Sequence, residues 1–234
     1  MFTLSLSEEP LIQAAALSDK QDGDLRWDPS NCGHFRQFLG KLGFGGRALA
    51  LCRQVHGAKV WEAEAPELAG GLDFSSDRPE ADALITDSSA LVLAVSVADC
   101  VPVYLFDPVR RAIGLAHAGR EGTQQAIAAH TVRKMGERFG SRPHELRAVI
   151  GPSAGPCCYE VDAGRAAAFA QLGYPVEGER RLDLWSANRL QLEEAGLAPC
   201  RIEVTRQCTI CGTQFFSYRG GAVRARNLAV LALR

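Results

Sequence analysis

The chain reads as a mixed α/β protein, a single domain spanning residues 1–234, and three observations carry that reading. Its 234 residues are 47% apolar and 23% charged, enough to bury a substantial core, with no internal repeat, low-complexity block or interdomain linker. Apolar runs of strand length, bounded by Asp, Pro or Gly, recur between residues 91 and 116. After them Ala128, Val132, Met135 and Phe139 repeat at spacings of four, three and four, the pattern of a helix with one apolar face.

In chain order, the polar, turn-rich stretch Ser18–Gly33 reads as a loop. Ala48–Cys52 and Ala58–Ala63 flank Gln54-Val55-His56-Gly57 and predict a hairpin with His56 at its tip. Leu91–Val97, Val103–Phe106 and Ala112–Ala116 predict central strands, and Thr123–Phe139 predicts a helix stopped by Gly140. Arg147–Ile150 is a further strand. The run Gly151-Pro152-Ser153-Ala154-Gly155-Pro156 behind it is unsuited to regular structure and brings backbone close to a neighbour such as a ligand. Asp162 and Asp183 are expected N-caps of two helices, and strands near Ile202–Thr205 and Leu228–Leu233 close the order.

Charge narrows the function. With 26 basic and 27 acidic residues the net charge is −1, which supports neither a nucleic-acid nor a membrane surface and favours a small-molecule partner. The first residues lack a basic region, and no apolar stretch reaches about 18 residues, so a cytoplasmic location is expected. The eight cysteines are scattered through a chain too large to need disulfide staples and are expected to be reduced.

Three short segments carry the chemistry. Gln54-Val55-His56-Gly57, Ala98-Asp99-Cys100 and Leu115-Ala116-His117-Ala118-Gly119 each put an imidazole or a thiol at the end of a β-rich run. Two neutral imidazoles and one thiolate leave one place free on a four-coordinate zinc, the arrangement of a catalytic site. Separations of 44 and 17 residues match no local zinc template, and each residue alone also fits a bland role: a hydrogen-bonded His at a turn, a small buried Cys. Asp99 adjoins Cys100, where it can orient an imidazole, act as an acid or base, or cap a turn.

The blocks Arg53-Gln54-Val55-His56-Gly57, Ala81-Asp82-Ala83-Leu84, Ala98-Asp99-Cys100-Val101-Pro102, His117-Ala118-Gly119, Gly155-Pro156-Cys157-Cys158-Tyr159-Glu160-Val161 and Phe215-Phe216-Ser217-Tyr218-Arg219 together resemble the laccase-domain (YfiH-like) family. That family also carries the labels polyphenol oxidase and peptidoglycan editing factor. The resemblance implies a single-domain α/β (α+β) sandwich, with mixed central sheets flanked by helices in a cysteine-hydrolase-like YfiH fold. It implies zinc on His56, Cys100 and His117, and purine nucleoside phosphorylase activity, with adenosine deaminase and methylthioadenosine phosphorylase activities beside it. Catalytic roles are then expected for Cys100, His117, His56 and Asp99, and substrate contacts for Arg120, Arg226, Tyr159 and Gln54. Arginines suit phosphate, the second substrate. Where relatives usually follow His-Ala-Gly with Trp-Arg, this chain has Arg120-Glu121, which adds a negative charge and leaves Arg120, just before a helix, to compensate or merely to pair with Glu121. Arg53 and Arg219 are expected to be structural ion-pair partners.

Other readings stay open. Two His and one Cys are also the equatorial ligands of a mononuclear copper oxidase, although the two methionines, Met1 and Met135, are not placed as evident axial ligands and five histidines are too few for several linked coppers. Cys100 with His117 or His56 would make a hydrolase nucleophile, which suits peptidoglycan-precursor editing. A non-catalytic zinc-binding partner protein is the third. Cys208-Thr209-Ile210-Cys211 has redox spacing without a thioredoxin-like context. Its union with Cys157-Cys158 in a four-thiolate site is disfavoured on the ground that vicinal cysteines reach one ion poorly.

Overall fold

The computed structural model describes residues 1–44, 46–64, 72, 74 and 78–234. Two sheets dominate it. The first has β1 (Phe2–Thr3), β2 (Ile12–Leu17), β13 (Asn227–Leu233), β6 (Leu91–Val97) and β3 (Ala48–Leu51), in that spatial order. The second runs β12 (Ile202–Val204), β9 (Arg147–Ile150), β7 (Val101–Asp107), β8 (Ala112–Ala118), β5 (Ala83–Thr86) and β4 (Val60–Glu62). Both are mixed: β3 lies parallel to β6 and β4 to β5, while β7 pairs antiparallel with β8 and β9. β10 (Val176–Glu177) and β11 (Arg181–Leu182) form a small separate hairpin.

Alternation along the strands builds three apolar layers. Leu93, Val95, Ala229 and Leu231 of the first sheet meet Leu84, Phe106, Ile113 and Leu115 of the second in a dry layer between the sheets. Within it the Tyr104 hydroxyl on β7 donates to the Ala16 carbonyl on β2 at 3.0 Å, tying one sheet to the other. The outer face of the first sheet packs under Phe35 and Phe38 of α1 (Cys32–Lys41). The outer face of the second packs under α3 (Ile127–Phe139), α4 (Ala163–Gln171) and α5 (Leu184–Glu194). The result is a sandwich of two sheets with helices outside both. No helix among the described residues is long and apolar enough to cross a membrane.

Most of the expected strands appear, as do the Asp162 and Asp183 caps, whose carboxylates accept from the Arg165 and Ser186 amides. Two expectations fail for physical reasons. The runs at 48–52 and 58–63 are no hairpin: β3 is buried throughout as a parallel partner of β6, and the chain crosses at Gln54–Gly57 to the other sheet. The helix expected from Thr123 begins only at Ile127. A short α2 (Arg120–Gln124) precedes it, Ala126 adopts φ 57°, and the Thr123 carbonyl accepts from the Gln191 side chain instead of continuing one helix. Gly140 ends α3 in a left-handed conformation, as the sequence predicts. The Ser18–Gly33 stretch is largely irregular but holds two short 3-10 turns and the start of α1.

Candidate active site

Three links between the sheets meet at one end of the sandwich. They are Cys52–Lys59 from β3 to β4, Ala98–Cys100 from β6 to β7, and Thr205–Arg226 from β12 to β13. His117 sits beside them near the end of β8, paired in register with Pro102. Sequence-distant residues therefore converge, and the ligand atoms of His56, Cys100 and His117 all lie within 4.8 Å of one another. The two imidazole centroids are 4.9 Å apart, nearly edge to face.

Asp82 builds this cluster, a role the sequence reading did not assign it. Its carboxylate is fully buried and accepts from the backbone amides of Val55, His56 and Gly57 at 3.1, 2.9 and 2.7 Å. These bonds hold the turn in which His56 takes φ 62°, a left-handed conformation costly for a residue with a Cβ. The same carboxylate accepts from His117 Nδ1 at 2.9 Å, which puts the proton on Nδ1 and leaves Nε2 for a metal or the thiol. Burial opposes ionisation of Asp82, but His117 and the amides outweigh it and hold the carboxyl below its ordinary range.

Burial likewise opposes a Cys100 thiolate, yet His117 and His56 bring the thiol down to about 6. Against its own burial, His117 is raised to about 9 by Cys100 and Asp82. Gly119 leaves room for this pairing: a Cβ there would sit 2.8 Å from Cys100 Sγ.

Around the cluster opens a cavity of about 670 Å³, lined by all eight residues singled out from the sequence: Gln54, His56, Asp99, Cys100, His117, Arg120, Tyr159 and Arg226. Several have other duties. Gln54 exchanges both its amide groups with the Ser96 backbone, at 2.9 and 2.8 Å, so it pins the turn to β6. Asp99, at φ 84°, does not reach an imidazole; its oxygens accept from Thr209 Oγ1 and from the Arg219 amide, both at 2.7 Å. Asp82 holds the imidazole in its place. Arg120 pairs with Glu121 at 2.7 Å and donates to Gln124 at 3.0 Å.

Two further arginines line the cavity: Arg165, which sequence reasoning passed over, and Arg219, to which it gave another role. Arg165 pairs with Asp162. Arg219, expected in an ion pair, instead lies over the Tyr159 ring at 5.1 Å and donates to the Glu160 carbonyl at 2.8 Å. Arg53 does pair with Glu80 as expected. With Arg226, whose guanidinium donates to the Val223 and Ala225 carbonyls, four guanidinium groups border the cavity against the carboxylates of Asp99 and Glu121.

A two-imidazole, one-thiolate donor set with a carboxylate behind one imidazole fits an open zinc site, and a copper ion shares these ligands. The five histidines do not gather for a multicopper cluster: among the described residues only His56 and His117 belong to a group able to hold an ion.

The comparisons with known proteins agree with this architecture. The family model described as multi-copper polyphenol oxidoreductase laccase matches residues 28–234. The chain is 38% identical over 209 residues to the purine nucleoside phosphorylase YlmD of Geobacillus stearothermophilus, covering 84% of this chain and 75% of that protein. It is 34% identical over 186 residues to the adenosine deaminase RL5 of an unknown prokaryotic organism, covering 73% and 69%. The crystal structure of YlmD from Geobacillus stearothermophilus superposes with a TM-score of 0.85 at 32% identity, covering 94% of this chain and 92% of that one. A family-model match over residues 28–234, relatives more than 30% identical over most of the chain and a shared fold have one meaning: the chain belongs to the laccase-domain (YfiH-like) family.

Proposed function

We propose that the cavity is the active site of a purine nucleoside phosphorylase holding zinc on His56, Cys100 and His117. The observation that carries this reading is the meeting of that donor set with four arginines in one cavity with room for a nucleoside and phosphate. Relatives named for the activity support it. When bound, zinc supplies Lewis acidity, polarising a lone pair set beside it.

The chain's own residues account for binding and order. Arg219 and Arg226, whose guanidinium groups bond only to carbonyls among the described residues, are the phosphate ligands of choice, and Arg120 is a weaker one because Glu121 partly neutralises it. Tyr159 gives the cavity an aromatic wall, and Val161 and Leu184 give it apolar ones, suited to a purine and to the methylthio group of methylthioadenosine. Asp82 keeps His117 in one tautomer. Adenosine, inosine, guanosine and methylthioadenosine are the proposed substrates, and a cytoplasmic location supplies them together with phosphate. Nucleic acid and membrane have no part in this reading.

Adenosine deamination is a second reading, favoured by the relative named for it. Turnover of adenosine by the metal-quantified protein, followed chromatographically, separates the two. Phosphate-dependent adenine release supports phosphorolysis, and inosine formed without phosphate supports deamination. If neither forms and Cys100 is trapped covalently by an ester or amide probe, a cysteine hydrolase replaces both. Copper in place of zinc, with phenol oxidation, would favour the oxidase.

A further inference from the structure

A second group of metal-ligating side chains lies apart from the cavity's ligands. Cys157 and Cys158 follow the glycine-proline run, and Cys208 and Cys211 lie on the Thr205–Arg226 link. Their four sulfurs all lie within 4.8 Å of one another, although vicinal cysteines made this union improbable on sequence grounds. The backbone overcomes that objection. A turn at Pro156–Cys158, with the Cys158 and Tyr159 amides both donating to the Gly155 carbonyl, swings both thiols to one side. Main-chain bonds between Ser153 and the 207–209 stretch bring Cys208 and Cys211 alongside: Ser153 N to Gln207 O and Thr209 N to Ser153 O, each 3.0 Å.

We propose that Cys157, Cys158, Cys208 and Cys211 bind a structural zinc ion, separate from the His56-Cys100-His117 site. Four observations carry this. Zn–S bonds of about 2.3 Å in a tetrahedron put sulfurs about 3.8 Å apart, and Cys157 and Cys211 are 3.9 Å apart. A disulfide needs about 2.05 Å, and all eight cysteines are free. Cys208 Sγ accepts the Gly155 amide at 3.3 Å, and the Ile210 and Cys211 amides also face it, the backbone support that a Cys-x-x-Cys turn gives a thiolate ligand. Gly155 is pressed so close that a Cβ there would lie 3.2 Å from Cys208 Cβ and 2.5 Å from the Trp185 ring. A donor set of four thiolates, with no imidazole or carboxylate, selects a soft tetrahedral ion and leaves it no open place, so this ion performs no turnover. Its effect is positional. It clamps the glycine-proline run to the link in which Thr209 and Arg219 grip Asp99, next to Cys100. The inference holds whichever reaction the cavity performs.

Zinc content of protein purified under reductant tests it, with Cys100→Ala to disable the cavity site. Cys100→Ala is expected to retain one equivalent of zinc, and its cobalt-substituted form to show the thiolate charge-transfer and tetrahedral d–d bands of four sulfur ligands. Cys211→Ser in that background is expected to lose the equivalent and the bands. Cys211→His, which keeps a ligand, is expected to retain cobalt with shifted bands, which distinguishes ligation from a thiol needed only for packing. A metal-free Cys100→Ala protein that is folded by circular dichroism overturns the proposal. So does iron in place of zinc, or a Cys157–Cys211 disulfide found by non-reducing peptide mapping.

Discussion

At the scale of single residues, Asp82 is the group on which both imidazoles depend, since one carboxylate accepts from three turn amides and from His117. Asp82→Asn keeps the size but turns one acceptor oxygen into a donor facing N–H groups. Metal affinity is expected to fall about 10- to 100-fold, measured by competition with a chromophoric chelator, and stability by about 2 kcal/mol in denaturant unfolding. Gly119→Ala pushes a methyl to within 2.8 Å of Cys100 Sγ, so it is expected to lower metal content while leaving the fold intact by circular dichroism. The Cys100 thiol, held near 6, gives a pH signature after chelation: alkylation by iodoacetamide should rise through about pH 6 and level off below the ordinary thiol range. The signs also fix a stability window. A depressed thiol contributes stability that is lost as pH falls through about 6, and a raised imidazole one that is lost as pH rises through about 9. The melting temperature of the chelated protein should therefore peak between those values, and a flat profile would show that the pair does not couple to folding.

At the scale of elements, the Thr205–Arg226 link carries two of the cavity's four arginines, Arg219 and Arg226, yet has no regular structure of its own, so its shape depends on a few bonds. Thr209→Val removes one of the two bonds to Asp99. If Arg219 serves phosphate, this change should raise the KM for phosphate several-fold with zinc content unchanged, and equal losses in kcat and zinc would count against it. The same link marks the limit of what the sequence disclosed. Continuous apolar runs of strand length and a 3.6-residue repeat show where β6, β7, β8 and α3 lie, because burial on both faces of a strand, or on one face of a helix, leaves that mark locally. Which sheet a strand joins leaves no local mark, so Ala48–Cys52 and Ala58–Ala63 look like two arms of a hairpin when they belong to different sheets. His56, Cys100 and His117 were visible through their motifs and Asp82 was not given a role, because a buried acceptor of four N–H groups resembles any Asp before a strand. The cysteine quartet was discounted for a similar reason: main-chain pairing between residues 153 and 207–209 cannot be seen in the spacing.

At the scale of the molecule, the cavity is formed where three links pass from one sheet to the other, so an ion held by His56, Cys100 and His117 would tie the Cys52–Lys59 crossing to the ends of β7 and β8. Zinc at about 100 times its dissociation constant would add about 2.7 kcal/mol to the folded state. The melting temperature of the wild type should thus climb with zinc more steeply than that of Cys100→Ala, and parallel curves would argue against an ion held there. The Tyr104 hydroxyl, bonded to the Ala16 carbonyl across the dry layer, then acquires a meaning beyond packing. It works as a registration pin. Most contacts across the layer are non-directional, whereas this bond has one donor and one acceptor, and it lies on the strand that begins right after Cys100. Replacing Tyr104 with Phe removes that one directional tie while the chain links and the packing remain, and any change it makes in the spacing of His56 and Cys100 would reach the chemistry as misaimed ligands.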